Sequence, residues 1–158
     1  MKRSGSCILA GVILGMSLIS CNIPTDAKEI IPEKKADVLE LSIEDAQLLM
    51  RTAWAEAGNQ GEDGIWLVMS TIINRVNDPD WPDTISDVVY QDGQFTTPAK
   101  LSEVETDAHL ALARLEGGSI CPGIIAFETI KSNKLDRYFE QVFEYREHQF
   151  YVKKTIKK

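Results

Sequence analysis

The sequence predicts a mainly helical α+β domain with a small antiparallel sheet. Helix-capping patterns and a long apolar run occupy the first two thirds, whereas β-branched and aromatic residues are concentrated in the last third. A chain of 158 residues, of which 44% are hydrophobic and 26% charged, has the length and composition of one globular domain. We expect this domain to cover residues 42–153 and to be followed by a basic tail at 154–158.

The first two helices are predicted from a capping pattern and from the distribution of apolar residues. Ser42 and Asp45 can satisfy free backbone amides of a first helical turn, so a helix is expected from there to about Ala57. A turn at 58–61, which contains two glycines and an Asn, ends this helix. The run from 65 to 76 is apolar nearly all round, and its length favours a buried helix over a strand.

Two further helices are expected before the last third of the chain. A short helix is predicted at 84–90 and a longer one at 102–116, with a loop or hairpin at 91–100 between them. Two glycines at 117 and 118 stop the longer helix. Each helix opens with a capping pattern, which pairs Thr84 with Asp87 and Ser102 with Glu105.

The last third is predicted to form the sheet. Residues 123–127 and the aromatic-rich stretch 139–152 favour strands, and their short connections favour antiparallel pairing. The Lys-rich residues that follow are expected to fray.

The N-terminal region has the pattern of an export signal. Lys2 and Arg3 precede an apolar run at 8–19, and small residues follow it, so residues 1–20 are predicted to be a removable signal peptide. The end of the run, from Leu18 to Cys21, resembles the bacterial lipobox, in which the Cys becomes the acylated first residue. An uncleaved anchor, or ordinary secretion with a coincidental Cys, is the alternative. We therefore expect an exported protein, anchored to a membrane through lipid on Cys21 or secreted.

Residues 21–41 are rich in Lys, Glu, Asp and Pro without sustained periodicity, as is typical of a flexible spacer between an anchor and a domain. If Cys7 is lost with the signal and Cys21 is acylated, Cys121 is left without a partner for a disulfide. The hydrophobic core must then hold the fold.

Charge and histidine content exclude several function classes. A net charge of −7 argues against nucleic acid, whose phosphates need a basic surface. The two histidines, His109 and His148, are not part of a His-Glu-x-x-His motif, so neither a metal nor a cofactor is expected. A monomer is expected, because the sequence contains no heptad pattern and no long exposed apolar strand.

Glu56 is the strongest candidate for a catalytic residue. On a helix it projects into the same sector as Ala46, Leu49 and Ala53, so it interrupts an apolar face just before the glycine-rich turn. Apolar surroundings favour the protonated form of a carboxyl group, and a general acid must carry its proton near neutral pH. A structural Glu bonded to backbone amides of the following turn is the alternative.

Several segments together resemble the signature of the spore-cortex-lytic, cell wall hydrolase family. The Glu56 segment and the Asn-Arg and Gln-Phe pairs are specific in combination, and the resemblance covers most of the chain from about Ser42 to Val152. The matching segments are Trp54-Ala55-Glu56-Ala57-Gly58-Asn59-Gln60-Gly61, Gly64, Val68 to Val76, Trp81 to Ile85, Val88 to Tyr90, Gly93 to Thr96, Ile125 to Phe127, and His148 to Tyr151.

The resemblance implies a lysozyme-like, two-lobed fold that cleaves peptidoglycan between N-acetylmuramic acid and N-acetylglucosamine, with Glu56 as the catalytic acid. Members of the family commonly act as lytic transglycosylases, which need no water-activating partner. A muramidase would need a second carboxylate, and Glu62, Asp63 and Asp92, all in predicted loops, are the candidates. Glu62 is the nearest in sequence, whereas Asp63 could cap the next helix instead. A non-catalytic peptidoglycan-binding lipoprotein is a further alternative.

The resemblance also indicates substrate-binding residues. Gln94, Phe95 and Thr96 supply an amide, an aromatic ring and a hydroxyl, the groups that sugar sites use, unless Phe95 is core and Gln94 bonds backbone. His148 is expected to line the cleft or to act as scaffold. Tyr90 and Tyr151 are weaker candidates for contact with the substrate.

One residue pair is expected to support the fold, and one segment does not follow the family pattern. The Asn74-Arg75 pair at the end of the buried helix is interpreted as structural, with Arg75 holding a helix end or a carboxylate. Residues 119–138 depart most from the family pattern, particularly 131–137, which leaves substrate preference open.

Overall fold

The computed structural model describes residues 34–35 and 39–155. The helices are α1 (Ile43–Ala57), α2 (Gly61–Val76), α3 (Ile85–Val89) and α4 (Thr106–Glu116), with short 3₁₀ turns at Gly58–Gln60 and Leu101–Glu103. The strands are β1 (Lys34–Lys35), β2 (Ser119–Ile120), β3 (Ala126–Thr129), β4 (Phe139–Tyr145) and β5 (His148–Lys153).

The predicted mainly helical α+β fold is confirmed. In the three-stranded antiparallel sheet the order is β3-β5-β4, so the strand that comes last in sequence lies in the middle. β1 pairs with β2 in a separate two-stranded sheet, and its residues belong to the segment predicted as a spacer. The predicted signal peptide, Cys21 and the other spacer residues up to 38, except for β1, lie outside the described residues, as do residues 156–158.

The first helix begins where the sequence predicts, because Ser42 Oγ accepts the amide hydrogen of Asp45 at 3.0 Å. The predicted start of α2 at residue 65 is wrong, since the helix begins at Gly61. Gly61 adopts φ +71°, a left-handed conformation that turns the chain directly from the 3₁₀ turn into α2. Glu62 and Asp63, predicted in a loop, therefore lie in the first turn of α2.

The cap of α3 is also confirmed, with Thr84 Oγ1 accepting from the Asp87 amide at 3.0 Å. In contrast, the predicted start of α4 at Ser102 is wrong. Glu103 accepts the Lys100 amide at 3.1 Å and closes a single 3₁₀ turn, after which Val104 is extended and packs against the core. The Ser102–Glu105 capping box does not form, and α4 begins at Thr106.

Helix α2 forms the centre of the core, as its apolar sequence predicts. It contacts α1, α3, α4 and the β3 edge of the three-stranded sheet. Burying each large side chain of this helix contributes about 1.5–3 kcal/mol. The fully buried residues of α2 include Ile65, Trp66, Leu67, Val68, Met69 and Ile72.

One face of the three-stranded sheet packs on this core through aromatic rings. Phe143 and Phe150 stack at 5.2 Å between ring centroids, and Phe127 lies 5.9 Å from Phe150. The predicted strand at 123–127 begins later, at Ala126, because Gly123 takes a left-handed turn conformation with φ +75°. None of the helices within residues 34–35 and 39–155 is long and apolar enough to cross a membrane.

Candidate active site

Glu56 lies in the last turn of α1 and is half-buried. Leu49 and Ala53, which precede it on the same side of the helix, are fully buried, as the helical spacing predicts. The Glu56 carboxylate accepts the backbone amide hydrogen of Thr96, with 2.6 Å between Oε1 and N. This bond joins the end of α1 to the predicted substrate-binding segment, which is 40 residues further along the chain.

The segment 94–96 is held in place from the other side by Arg75. The guanidinium donates to Gln94 Oε1 at 3.1 Å and stacks on Trp81 and Phe95, with ring centroids at 4.0 and 5.1 Å. Phe95 is half-buried and packs against the core, whereas Gln94 and Thr96 are exposed. The segment therefore presents an amide and a hydroxyl beside Glu56, while the Phe95 ring helps to anchor it.

The Asn74-Arg75 pair has the structural role that the sequence indicates. Arg75 Nε donates to the Ile125 carbonyl at 2.6 Å, and Asn74 donates to the carbonyls of Cys121 and Ile124, both at 2.8 Å. These bonds fasten the end of α2 to the chain that enters β3. Burial lowers the pKa of Arg75 to about 10, so the guanidinium remains charged at neutral pH.

His148, at the start of β5, is buried. Burial lowers the pKa of its imidazole, although the carboxylates of Glu56 and Glu147 act to raise it. Its ring lies 4.9 Å from that of Phe127, and the Gln60 amide nitrogen is 3.1 Å from Nδ1. The structure thus brings together Glu56, the 94–96 segment and His148.

Gln60 is a residue of this site that the sequence analysis did not identify. It is the last residue of the 3₁₀ turn, and its side chain is 1% exposed. A Gln in a glycine-rich turn is ordinarily solvent-exposed, so composition and periodicity gave no signal for it.

The prediction that Tyr151 contacts the substrate is not supported by its position. Tyr151 has no exposed surface, and alternation along β5 places it on the opposite face of the sheet from His148. Its hydroxyl lies 2.7 Å from Glu128 Oε1 and 2.9 Å from Asp136 Oδ1, and Gln149 donates to it at 2.7 Å. The structure therefore places Tyr151 in a buried hydrogen-bond network.

Glu128, which the sequence analysis also missed, organises the segment that departs most from the family pattern. Burial acts to raise the pKa of its carboxyl group, but hydrogen bonds from Ser132, Tyr151, the Leu135 amide and Gln149 outweigh this and lower the pKa to about 2. The Lys134 amide also donates to it, at 3.2 Å. The carboxylate thus gathers the loop between β3 and β4 against the sheet.

The three candidates for a second carboxylate have different surroundings. Asp63 pairs with Arg114 at 2.7 Å, and the guanidinium of Arg114 lies 3.7 Å from the centre of the Trp66 ring, which makes Asp63 part of the scaffold. Asp92 is exposed in a turn after α3, and Glu62 is half-buried in the first turn of α2. Tyr90, predicted to line the cleft, is 63% exposed.

Among residues 34–35 and 39–155, no group of three or more His, Cys, Asp or Glu side chains could hold a metal ion. A cavity of about 480 Å³ opens next to Trp81, whose ring stacks on Arg75. Its lining residues are Val76, Asn77, Asp78, Pro79, Trp81, Pro82 and Asp83.

Comparisons with known proteins agree with this architecture. Residues 59–151, more than half of the chain, match the family model described as Cell Wall Hydrolase, and this range begins three residues after Glu56. A search of curated proteins found no match.

Two solved structures share the fold. The catalytic domain of the Bacillus cereus SleB protein is 20% identical with a TM-score of 0.60, and the match covers 71% of this chain and 92% of that one. The catalytic domain of the germination-specific lytic transglycosylase SleB from Bacillus anthracis is also 20% identical, with a TM-score of 0.59 and coverage of 70% and 96%.

Proposed function

The chain belongs to the Cell Wall Hydrolase family, and on this premise we propose that it cleaves the glycan strands of peptidoglycan between N-acetylmuramic acid and N-acetylglucosamine, with Glu56 as the acid. The observation that carries the proposal is the position of Glu56. It is half-buried at the end of α1, and the Thr96 amide fixes its carboxylate at 2.6 Å. A positioned carboxyl group of this kind is what protonation of a glycosidic oxygen requires.

In this proposal the two carboxyl oxygens of Glu56 have different tasks. Oε1 accepts the amide hydrogen of Thr96, so the proposal gives the transferable proton to Oε2. Gln94 and Thr96 lie beside this group and can bond the acetamido and hydroxyl groups of a sugar. We also propose that His148, on which the charge of Glu56 acts, forms part of the cleft wall.

We further propose that the reaction is a lytic transglycosylation that uses one acid. Glu56 gives its proton to the leaving oxygen as the bond from C1 to that oxygen breaks. The C6 hydroxyl of the muramic acid then forms the new bond to C1 and returns its proton to Glu56. The surroundings of the other acids support this chemistry, because Asp63 is held by Arg114 and Asp92 is exposed in a turn.

The acid role is tested by Glu56→Gln, which keeps the size of the side chain and removes the transferable proton. Release of soluble fragments from purified sacculi should fall by roughly 10²–10⁴-fold or more, with the circular dichroism spectrum unchanged. Glu62→Gln and Asp92→Asn are matched controls and should stay within about tenfold of wild type. If Glu56→Gln kept more than about a tenth of the activity, the acid role would be wrong.

The product distinguishes transglycosylation from hydrolysis. Mass spectrometry should find 1,6-anhydro-muramyl ends, which are lighter than hydrolytic ends by one water. Hydrolytic ends, together with loss of activity in Glu62→Gln or Asp92→Asn, would instead identify a muramidase and its second carboxylate. A wild-type protein that binds sacculi and releases no fragments would be a non-catalytic binding protein.

We also propose that lipid on Cys21 anchors the protein to the outer face of a membrane. The lipobox-like segment at 18–21 is the basis for this proposal. Cys21→Ala should move the protein from the membrane fraction to the soluble fraction. Continued membrane attachment of this variant would count against acylation.

A further inference from the structure

Gln60 is an unusual residue for the place it occupies. Its side chain is 1% exposed, and the amide nitrogen lies 3.1 Å from Nδ1 and 3.4 Å from Nε2 of His148. Its other polar atom, Oε1, is buried and has no hydrogen-bond partner among the described residues. A buried polar atom without a partner reduces stability, so stability does not explain why an amide occupies this position.

The residues around Gln60 leave room for its side chain and fix the turn that carries it. Gly64 on α2 leaves room for it, since a side chain there would place its Cβ 2.5 Å from the Cβ of Gln60. Asn59, its neighbour in the turn, donates to Glu147 Oε2 at 3.1 Å. The turn after Glu56 is therefore joined to the β4–β5 hairpin by two adjacent side chains, and Gln60 is directed at the imidazole of His148.

The charged groups that face His148 would favour a positive imidazolium. Glu56 approaches from α1 and Glu147 from the hairpin turn. Uncharged neighbours among the described residues include Phe127 at 4.9 Å and Phe150 at 6.1 Å between ring centres. The cross-strand partners of His148, Thr129 on β3 and Tyr145 on β4, also have uncharged side chains. Burial raises the pKa of Tyr145, although Arg146 acts to lower it.

We propose that Gln60 is a positioning residue that holds His148 as a neutral imidazole beside Glu56. An amide N–H can donate only to an unprotonated ring nitrogen, so this contact stabilises the uncharged form of the imidazole. An imidazolium next to Glu56 would favour the ionised carboxylate, which has no proton to give. The inference rests on the proposed acid role of Glu56.

The charge of His148 can be measured directly by NMR, without any assay of activity. The chain has two histidines, and His109 is exposed on α4, so the two signals can be assigned separately. In the wild type we expect the midpoint of His148 to lie below pH 6.5, the ordinary value for histidine. Gln60→Glu, which has nearly the same shape and adds a negative charge at the ring, should raise the midpoint of His148 by about one pH unit or more.

Gln91→Glu is the matched control, because it makes the same change of charge on an exposed side chain in the turn after α3. It should move the His148 midpoint by much less than Gln60→Glu does. If Gln60→Glu does not fold, Gln60→Met removes the donor at similar volume and should raise the midpoint of His148 towards the ordinary value of 6.5.

Cleavage kinetics then test the link to Glu56. Gln60→Glu should lower kcat at pH values below the raised His148 midpoint, leave KM within about twofold, and approach the wild-type kcat above that midpoint. The inference is overturned if the midpoint of His148 in the wild type lies at or above pH 6.5, or if the Gln60 variants leave both the midpoint and the pH profile unchanged. Activity retained by Glu56→Gln would refute the proposed function, whereas the NMR titrations would still decide whether Gln60 keeps His148 neutral.

Discussion

Replacing Arg75 by Met should cost more stability than any surface substitution, because one guanidinium joins three parts of the fold. The side chain is 4% exposed and bonds the Ile125 carbonyl and the Gln94 side chain. It also stacks on Trp81 and Phe95. Met keeps the length and the apolar stem of the side chain while it removes the charge and both hydrogen bonds.

The loss of stability in Arg75→Met can be worked out from the interactions that each partner of the guanidinium loses. The Ile125 carbonyl belongs to a residue that is 3% exposed, so losing its donor costs about 1–3 kcal/mol. Gln94 is exposed and can form a hydrogen bond to water instead, so losing its bond to Arg75 reduces stability only slightly. Stacking of the cation on the two rings contributes about 0.5–2 kcal/mol to stability. Removing the buried charge also removes its desolvation cost, which offsets part of the loss. We expect the free energy of unfolding to fall by about 2–4 kcal/mol.

Urea denaturation followed by tryptophan fluorescence measures this difference. Arg137→Met, which removes an exposed guanidinium lying 5.5 Å from the Tyr138 ring, is the matched control and should change stability by less than about 0.5 kcal/mol. Arg75→Lys should recover little, since an ammonium group cannot reproduce the planar stacking. A loss below about 0.5 kcal/mol in Arg75→Met would refute the reasoning.

Three further predictions concern separate parts of the molecule. The pKa of Glu128 is about 2 in the folded protein, against an ordinary 4.5. The ionised carboxylate therefore stabilises the fold above pH 4.5, and this stabilisation is lost as the pH falls towards 2. Glu128→Gln should therefore reduce the loss of stability between pH 5 and pH 2, by about 1 kcal/mol in this partly exposed network, and parallel acid-unfolding curves would contradict this. Gly64→Ala should cost about 1–3 kcal/mol in urea, since its new Cβ would displace Gln60, and an unchanged midpoint would show that the turn adapts freely. Burial raises the pKa of the Cys121 thiol to about 12, so in a variant whose other two cysteines are Ser it should resist a thiol reagent until urea unfolds the chain, and rapid labelling of the native protein would contradict its burial.

Local signals in the sequence predicted the start of a helix correctly where a single capping side chain determines it. The caps at Ser42 and Thr84 form as expected, since each needs only an amide three residues away. The start of α4 was wrong because Val104 packs against the core and interrupts a local pattern that otherwise favours a helix. Tertiary packing overrode local propensity there.

The candidate site was also predictable only in part, because some of its contacts join residues that are far apart in sequence. Helical spacing placed Glu56 on a partly buried face, and the resemblance directed attention to residues 94–96 and His148. The bond from Thr96 to Glu56 and the contact between Gln60 and His148 join residues 40 and 88 positions apart. Periodicity contains no information about such pairs, and the same holds for the hydrogen bond between Tyr151 and Glu128.

The strand order of the sheet has a consequence for how the molecule becomes active. β5 follows every other described strand and helix in sequence, yet β3 and β4 pair with it and not with each other. The three-stranded sheet therefore cannot assemble during synthesis until β5 has emerged from the ribosome. Because β5 also carries His148, the candidate site is completed at the same moment as the sheet. An unfinished chain would therefore lack one residue of the proposed active site.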